Sequence, residues 1–457
     1  MVKISTNIAN WFSITKNSAK EFYSWILVLF AIISIILLLD YKNIWWLLGI
    51  FLPLIVLFSL SEVKKIIIWC FIAIIVILAY WVSIPDWNNK ILSFDTIVKE
   101  ETGFGSIVKF DNGNLLLEKM KIPANTKLRV SGQIIPINQI DNFEFDVVSF
   151  FKSKLTFFKI VKAKTEIVGQ KNTIIDSIQK YLLEGGEYYK QLVPIIFLGQ
   201  VSTHGQILRD NLILLGVYHI FVISGFHINI LKQTIFWIGK KICLNKSIYS
   251  SLFFIFLIFQ LFILNFPISF LRGVIFWILV EINKIFLNKK FKKHELLVFT
   301  AIAMILSNIF IIYSPAFILS FTITFIILLI NNIKFKDKKI KTLISFFIIN
   351  FVSALFTSYY NGSYNFLGPI NFLIFSSFFT FFYFFLSLFI WSKPILDFAS
   401  YLFIIVVENI VEIQFLILSY KINYLTLIFC NIITIICFLF MEMTTTSFKR
   451  RLEKSLA

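Results

Sequence analysis

Runs of about 18 or more residues without a charged side chain recur along this chain from end to end, the length that crosses a hydrocarbon core roughly 30 Å thick. In lipid a backbone must satisfy its own polar groups, so such runs have to be helices. Hydrophobic residues fill 58% of the 457 positions, above the roughly 45–50% of soluble domains, and the mean hydropathy is +0.84. The class is therefore a polytopic α-helical membrane protein. The net charge of +18 suits that class, because lysine and arginine collect in cytoplasmic loops. Charge alone does not name nucleic acid as a partner.

Three spans come first, near 22–39, 44–61 and 66–85. A basic stretch (Lys3, Lys16, Lys20) precedes them, and no small-residue cleavage site follows the first run, so it reads as a signal anchor. With the N-terminus inside, the third span delivers the chain outside. Residues 86–170 alternate in short runs (GSIVKF, NLLLEKM, KLRVSGQIIPI, FKIVKAKTEIVG) broken by Gly, Asn-Gly and Pro. That pattern predicts strands, and hence an inserted small extracytoplasmic β-barrel domain. Residues 171–192 set Ile174, Ile175, Ile178 and Leu182 at helical spacing, as in an amphipathic helix lying along the membrane. Gly185-Gly186 would end its first part.

A second membrane block covers 193–441, with a central polar stretch at 215–231 as the fourth span. Later spans fall near 247–266, 268–287, 295–313, 315–333, 342–360, 370–391, 395–420 and 422–441, about 12 spans in all. Lysine-rich loops alternate with nearly neutral turns at Phe266-Pro267, Ser314-Pro315 and Tyr359–Pro369. One orientation in the cytoplasmic (cell) membrane satisfies them: both termini inside, the basic tail 442–457 included, and the β domain outside. Cys70, Cys243, Cys430 and Cys437 lack paired spacing, so neither a disulfide framework nor a zinc site is indicated. No metal or cofactor is expected.

The central stretch LGVYHIFVISGFHINIL carries His219, Ser224, Gly225, His227 and Asn229. Polar groups are costly against lipid, so this stretch should face protein or water. On a continuous helix His219 and His227 would stand about 12 Å apart and roughly 80° around the axis, too far to share a metal. Ser224 and His227 would share a face, which invites a nucleophile–base reading. The Gly-x-Ser-x-Gly elbow is absent and no acid is near in sequence, so an enzyme is not expected. Ser224-Gly225 reads better as a break in the helix, and both a structural and a pore-lining role remain open for the histidines.

Arg272 lies inside the span that begins at Pro267, and Glu408 and Glu412 sit at i, i+4 in mid-span between Tyr401 and Tyr420. Intramembrane charges are functional candidates; an Arg272–glutamate structural pair is the alternative. Asn371, after Gly368-Pro369, is a cap or turn residue. In the β domain Lys152, Lys154, Lys159, Lys162 and Lys164 interleave with Phe150, Phe151, Phe157 and Phe158, after Lys127 and Arg129 on the preceding run. Cations for phosphates and rings for bases make a single-strand groove. The same pattern also suits a charged strand face whose phenylalanines are core.

Together these residues resemble the ComEC competence family of DNA-uptake membrane channels. His219, Ser224, Gly225 and His227 match its His, Ser-Gly, His signature, with Asn229 where Gly is usual. Arg272-Gly273 stands for Arg-Ala, AFILSF (Ala316–Phe321, with Ser320) for Gly-Phe-x-Leu-Ser-Phe, and GPIN (Gly368–Asn371) for Gly-Pro-x-Asn. EFDVVSFFKSKL (Glu144–Leu155) is similar to a segment that follows an OB-like barrel in the family. The resemblance implies passage of one DNA strand across the membrane during natural transformation, with an OB-like outer domain. It also implies a DNA receptor outside and a helicase-type ATPase inside. Many members carry a metallo-β-lactamase-like domain; with four histidines and no His-x-His-x-Asp-His cluster, the likeness is to the form without it, and no nuclease is carried over.

The leading expectation is a channel for single-stranded DNA, embedded in membrane lipid, either a monomer or a homodimer. A transporter of a small solute or lipid, with its site at the broken polar helix 215–231, is the alternative. A hydrolase built on Ser224 and His227 is the third.

Overall fold

The computed structural model describes residues 24–59, 63–87, 90–137, 146–170, 173–221, 225–332 and 337–423, less single positions at 103, 112, 203, 244 and 415, with scattered positions up to 434. The chain divides into two compact units. One comprises residues 1–171, 279–349 and 429–457, the other 172–278 and 350–428.

Five helices among the described residues are long and apolar enough to span a membrane. They are α1 (Ser24–Tyr41), α3 (Val63–Ser83), α14 (Lys338–Asn361), α15 (Gly368–Leu388) and α16 (Lys393–Glu412). Three shorter apolar helices accompany them: α2 (Trp46–Ser59), α10 (Lys246–Ile263) and α13 (Pro315–Asn332). This is fewer than the expected twelve, for local reasons. The run 295–313 is broken at Asn308, which leaves helical geometry after α12 (Lys293–Ser307) and caps a 3-10 helix, Ile309–Tyr313. α11 (Ile268–Ile285) holds Arg272, Glu281 and Lys284. The span expected at 422–441 and the basic tail lie largely or wholly outside the described residues.

In the first unit β1 (Ile91–Thr102), β2 (Gly105–Phe110), β3 (Gly113–Glu118), β4 (Thr126–Pro136) and β5 (Thr156–Gln170) close a barrel in the order β1-β2-β3-β5-β4. β3 and β5 pair in parallel; the other pairs are antiparallel. The two-residue period of a strand sends Val108, Leu115, Leu117, Leu128, Val130 and Phe158 into the barrel core. The opposite face of β2 and β3 is also covered: Ile107 and Leu116 pack with Val147 and Phe151 of α4 (Val147–Ser153). That is why both strands read as unbroken apolar runs rather than alternating ones.

One buried carboxylate ties this barrel to helix ends of its own unit. Lys152 Nζ donates to both Asp40 oxygens at 2.8 and 2.9 Å. Tyr313 OH donates to the same carboxylate at 2.6 Å and Tyr80 OH at 3.3 Å. Beside it, Asn308 Nδ2 donates to Ser153 O at 2.8 Å, and the rings of Phe157 and Phe310 meet edge-on at 5.0 Å.

The second unit begins with α5 (Ile174–Leu183), started by a Thr173/Asp176 capping box and stopped before Gly185-Gly186. α6 (Glu187–Leu198) does not lie on a surface. Tyr189 and every residue from Leu192 to Leu198 are buried, in a core shared with Phe221, Phe379, Phe403 and Val407. Asp397 of α16 caps α6: Tyr189 N–H donates to its Oδ1 at 2.7 Å. Asp397→Ala should lower the unfolding midpoint by the equivalent of about 1 kcal/mol, while Asp397→Asn, which keeps an acceptor, should lose less. A chemical-denaturation series in detergent checks the order of the three proteins.

α5 also corrects the expected loop alternation. Gln179 donates to Ile263 O at 2.5 Å, and Tyr181 OH reaches Ile390 O at 3.2 Å and Trp391 O at 3.1 Å. Side chains two residues apart cannot reach opposite faces of a core roughly 30 Å thick. The ends of 247–266 and 370–391, assigned to opposite faces by loop charge, therefore share one.

Candidate functional site

The polar stretch 215–231 is not one span. α7 (Gln206–Leu214) ends as Val217 N–H reaches back to Leu212 O and Gly216 N–H to Ile213 O, with Gly216 left-handed at φ +75°. A four-residue helix, α8 (Tyr218–Phe221), follows, then α9 (Gly225–Lys241); the break expected at Ser224-Gly225 falls where residues 222–224 lie outside the described ones. Ser224 lies outside the described residues. His219 lies on α8 and His227 on α9, on either side of residues 222–224.

Both instead meet aromatic rings of α15. His219 is exposed and stacks on Phe372, centroids 5.4 Å apart with planes at 11°. His227 is fully buried, 5.3 Å from the ring of Phe379 and 5.2 Å from that of Tyr383. Positions 372, 379 and 383 follow the helical repeat, so one face of α15 is the wall against which both imidazoles rest. Asn229 is exposed on α9.

Backbone contact holds the start of this wall. A Cβ on Gly216 would come within 3.2 Å of Gly368 Cα, so only glycine suits both the left-handed turn and the approach. Asn371, buried, donates to Leu215 O at 3.0 Å and to Gln414 Oε1 at 3.1 Å. Asn365 donates to Leu214 O at 2.9 Å and to the same Gln414 oxygen at 2.7 Å. The last carbonyls of α7 are thus satisfied by amides from the turn before α15 and its first residues, with Gln414 as the shared acceptor. Sequence reading found Asn371 but missed Asn365 and Gln414; single amides beside apolar helix ends were the only signal.

Arg272 lies on α11, half-buried, its guanidinium 3.1 Å from where a Cβ on Gly225 would stand. Gly273, next to it, lies against Ile228. A cation thus sits at the first residue of α9. Glu408 and Glu412 are not in mid-span: α16 ends at Glu412, both carboxylates are exposed, and the chain goes on to the short strand Ile417–Leu418. Apolar residues continuing past the helix end had hidden its stop. Ser320 belongs to α13 in the other unit, where its carbonyl accepts from Thr324 Oγ1.

The family model described as Competence protein matches residues 196–451, which contain this whole arrangement. The chain belongs to the competence protein family. Membership points to a role in DNA uptake, and the apolar helices to a membrane protein. Uncharacterized protein MG316 of Mycoplasma genitalium is 32% identical over 184 residues, 40% of this chain and 46% of that protein. The match thus covers about half the length of that relative. No solved structure matches.

The barrel lies outside the residues matched to the competence family, and its basic residues do not share one face. Phe158 is core, and Phe157 packs against that core and Phe310. Lys152 is taken up by Asp40, Lys159 pairs with Glu118 at 2.9 Å, and Lys154 bonds Glu100. Arg129 pairs with Asp95 at 2.9 Å and stands opposite Glu166 on β5, an alternating row. Lys127, Lys162 and Lys164 are exposed.

Proposed function

We propose that the chain conducts one strand of DNA across the cytoplasmic membrane during natural transformation. The competence match over the segment that carries His219, His227, Arg272 and Asn371 is the observation that carries this reading. A phosphate chain needs a cationic, wetted way through, and Arg272 at the start of α9 is a cation suited to line it. The closed five-stranded barrel would be the OB-like domain, outside the cell, meeting DNA before the helices do. A receptor would hand over the duplex outside, a helicase-type ATPase would draw the strand inside, and a second copy of the chain in the lipid could complete the path. The chain itself would do no chemistry on the strand.

The polar segment of α8 and α9, with exposed His219, also suits a site for a small solute or lipid. That reading has no need of the barrel, so deleting residues 86–169 should spare transport under it and abolish transport under the first.

The test is uptake of labelled duplex into a DNase-protected form by cells with wild-type protein, a deletion, or Arg272→Ala at equal expression. Uptake should vanish in the deletion and fall at least about tenfold with Arg272→Ala, roughly 1.4 kcal/mol on the limiting step, while surface binding persists. Equal uptake in the deletion would remove the reading.

A further inference from the structure

With α4 covering β2 and β3 and Arg129 boxed between acids, the barrel needs another surface if it is to hold a polyanion. One group of cations remains under-compensated. Lys154, just after α4, bonds Glu100, and its ammonium lies 4.7 Å over the ring of Phe150. Its carbonyl is held at 2.6 Å by Asn114 Nδ2, and Asn114 pairs in register with Lys109 across β2 and β3. Lys99 precedes Glu100 where the β1–β2 register shifts, between Val98 and Glu100, so it stands on the outside of a bulge diagonal to Lys109.

The charged groups acting on Lys99 are Glu100, Lys154 and Lys109. Lys154 holds Glu100, Lys99 is its neighbour on β1, and Lys109 stands diagonal to Lys99 on β2, so the three cations have this one carboxylate among them. Lys99 reaches the surface yet is crowded by the barrel wall. Burial first, then repulsion from Lys154 and Lys109 against the pull of Glu100, holds its ammonium below the ordinary lysine range. One carboxylate does not neutralise three like charges so placed, and a further anion would relieve their repulsion. The patch also has a definite place: Ser153, the residue before Lys154, is the one Asn308 holds. It thus lies at the foot of the barrel, beside the helix ends of its own unit.

We propose that Lys99, Lys109 and Lys154 form a patch that binds the phosphodiester backbone of a single DNA strand at the foot of the barrel. This deepens the DNA-uptake reading and rests on it. A strand is favoured over a lipid surface because a lipid-binding patch needs apolar side chains to insert beside its cations. Among the described residues the exposed large apolar side chains of the barrel are Ile167 and Val168, on β5, which β4 separates from the β1 strand that carries Lys99.

The experiment uses the full chain in neutral detergent, a fluorescent oligothymidylate, and anionic vesicles of phosphatidylglycerol as the competing surface. Lys99→Gln with Lys109→Gln should weaken strand binding about tenfold near 0.1 M salt and lower the slope of log K against log salt by about 1.4, two phosphate contacts at roughly 0.7 each. Lys99→Arg with Lys109→Arg should bind as wild type, which separates charge from folding. Lys119→Gln with Lys121→Gln, an equal loss of charge elsewhere on the barrel, should change affinity less than twofold. Unchanged binding in the patch variant, or an equal loss in the Lys119/Lys121 control, overturns the patch and leaves the uptake reading standing. A wild-type chain that ignores the strand removes the barrel's role in that reading, and the patch with it. Loss of vesicle binding alone would assign the cations to lipid.

Discussion

Lys152→Met should loosen the barrel from the helix ends of its unit and lower stability by about 2–4 kcal/mol, near the range seen when one partner of a buried ion pair is removed. The carboxylate of Asp40 is 6% exposed and the Lys152 side chain 25%, so little solvent is at hand to replace the lost cation. Two tyrosine hydroxyls remain on Asp40, from Tyr313 and Tyr80; they donate hydrogen bonds but do not neutralise the charge. Asp40→Asn should be similarly harmful, since it leaves the ammonium without its counter-charge. The double variant should be less destabilised than the sum of the single ones, because neither charge is then left alone. Unfolding of the barrel followed by fluorescence in detergent gives the cycle, and faster tryptic cleavage around α4 reports loosening directly. Additive losses would mean that the pair is not coupled and that the barrel is held by the Phe157–Phe310 and Asn308–Ser153 contacts alone.

The second large effect is expected at the amide cluster beside α7. Asn371→Leu keeps the volume but withdraws the donor from Leu215 O and from Gln414. A buried carbonyl left without its partner costs about 1–3 kcal/mol, and the loss falls where Gly216 and Gly368 bring two backbones together. The turn that sets His219 against Phe372 should shift, and expression-matched DNA uptake should fall at least about tenfold. Gln414→Leu should do the same through both asparagines at once. Gln414→Glu, which keeps an acceptor for Asn365 and Asn371, should retain most uptake. If the leucine and glutamate variants behave alike, the shared acceptor is not what positions this turn.

Several parts of this protein could be read from the sequence. The apolar runs behind α1 and α3 needed no tertiary information, since a hydrocarbon core demands helices of a given length. The barrel was visible in short runs punctuated by turn residues, with alternation plain in β4 and β5 but not in β2 and β3, and the placement of Phe158 in its core agrees with the two-residue period of β5. The left-handed turn at Gly216 was not singled out, although it is what separates α7 from the polar residues after it. The end of α16 was not legible, because Ile413, Phe415, Leu416 and Ile417 continue the apolar composition after the helix has stopped. Composition measures partition into lipid; it does not say where backbone hydrogen bonding ceases.

What only the tertiary structure decided is the use of each polar residue. Lys152 looked like a phosphate contact until a carboxylate 112 residues away claimed it. Asn371 looked like a local cap until its amide reached a carbonyl 156 residues back, with Gln414 as common acceptor. Local periodicity decides which side of an element is apolar, because that depends on neighbours three or four places away, or two in a strand. The partner of a charge or an amide depends on which distant backbone the fold brings within hydrogen-bonding distance. The membrane class and the barrel were therefore written in the sequence, while the roles of its lysines, histidines and amides were set by packing.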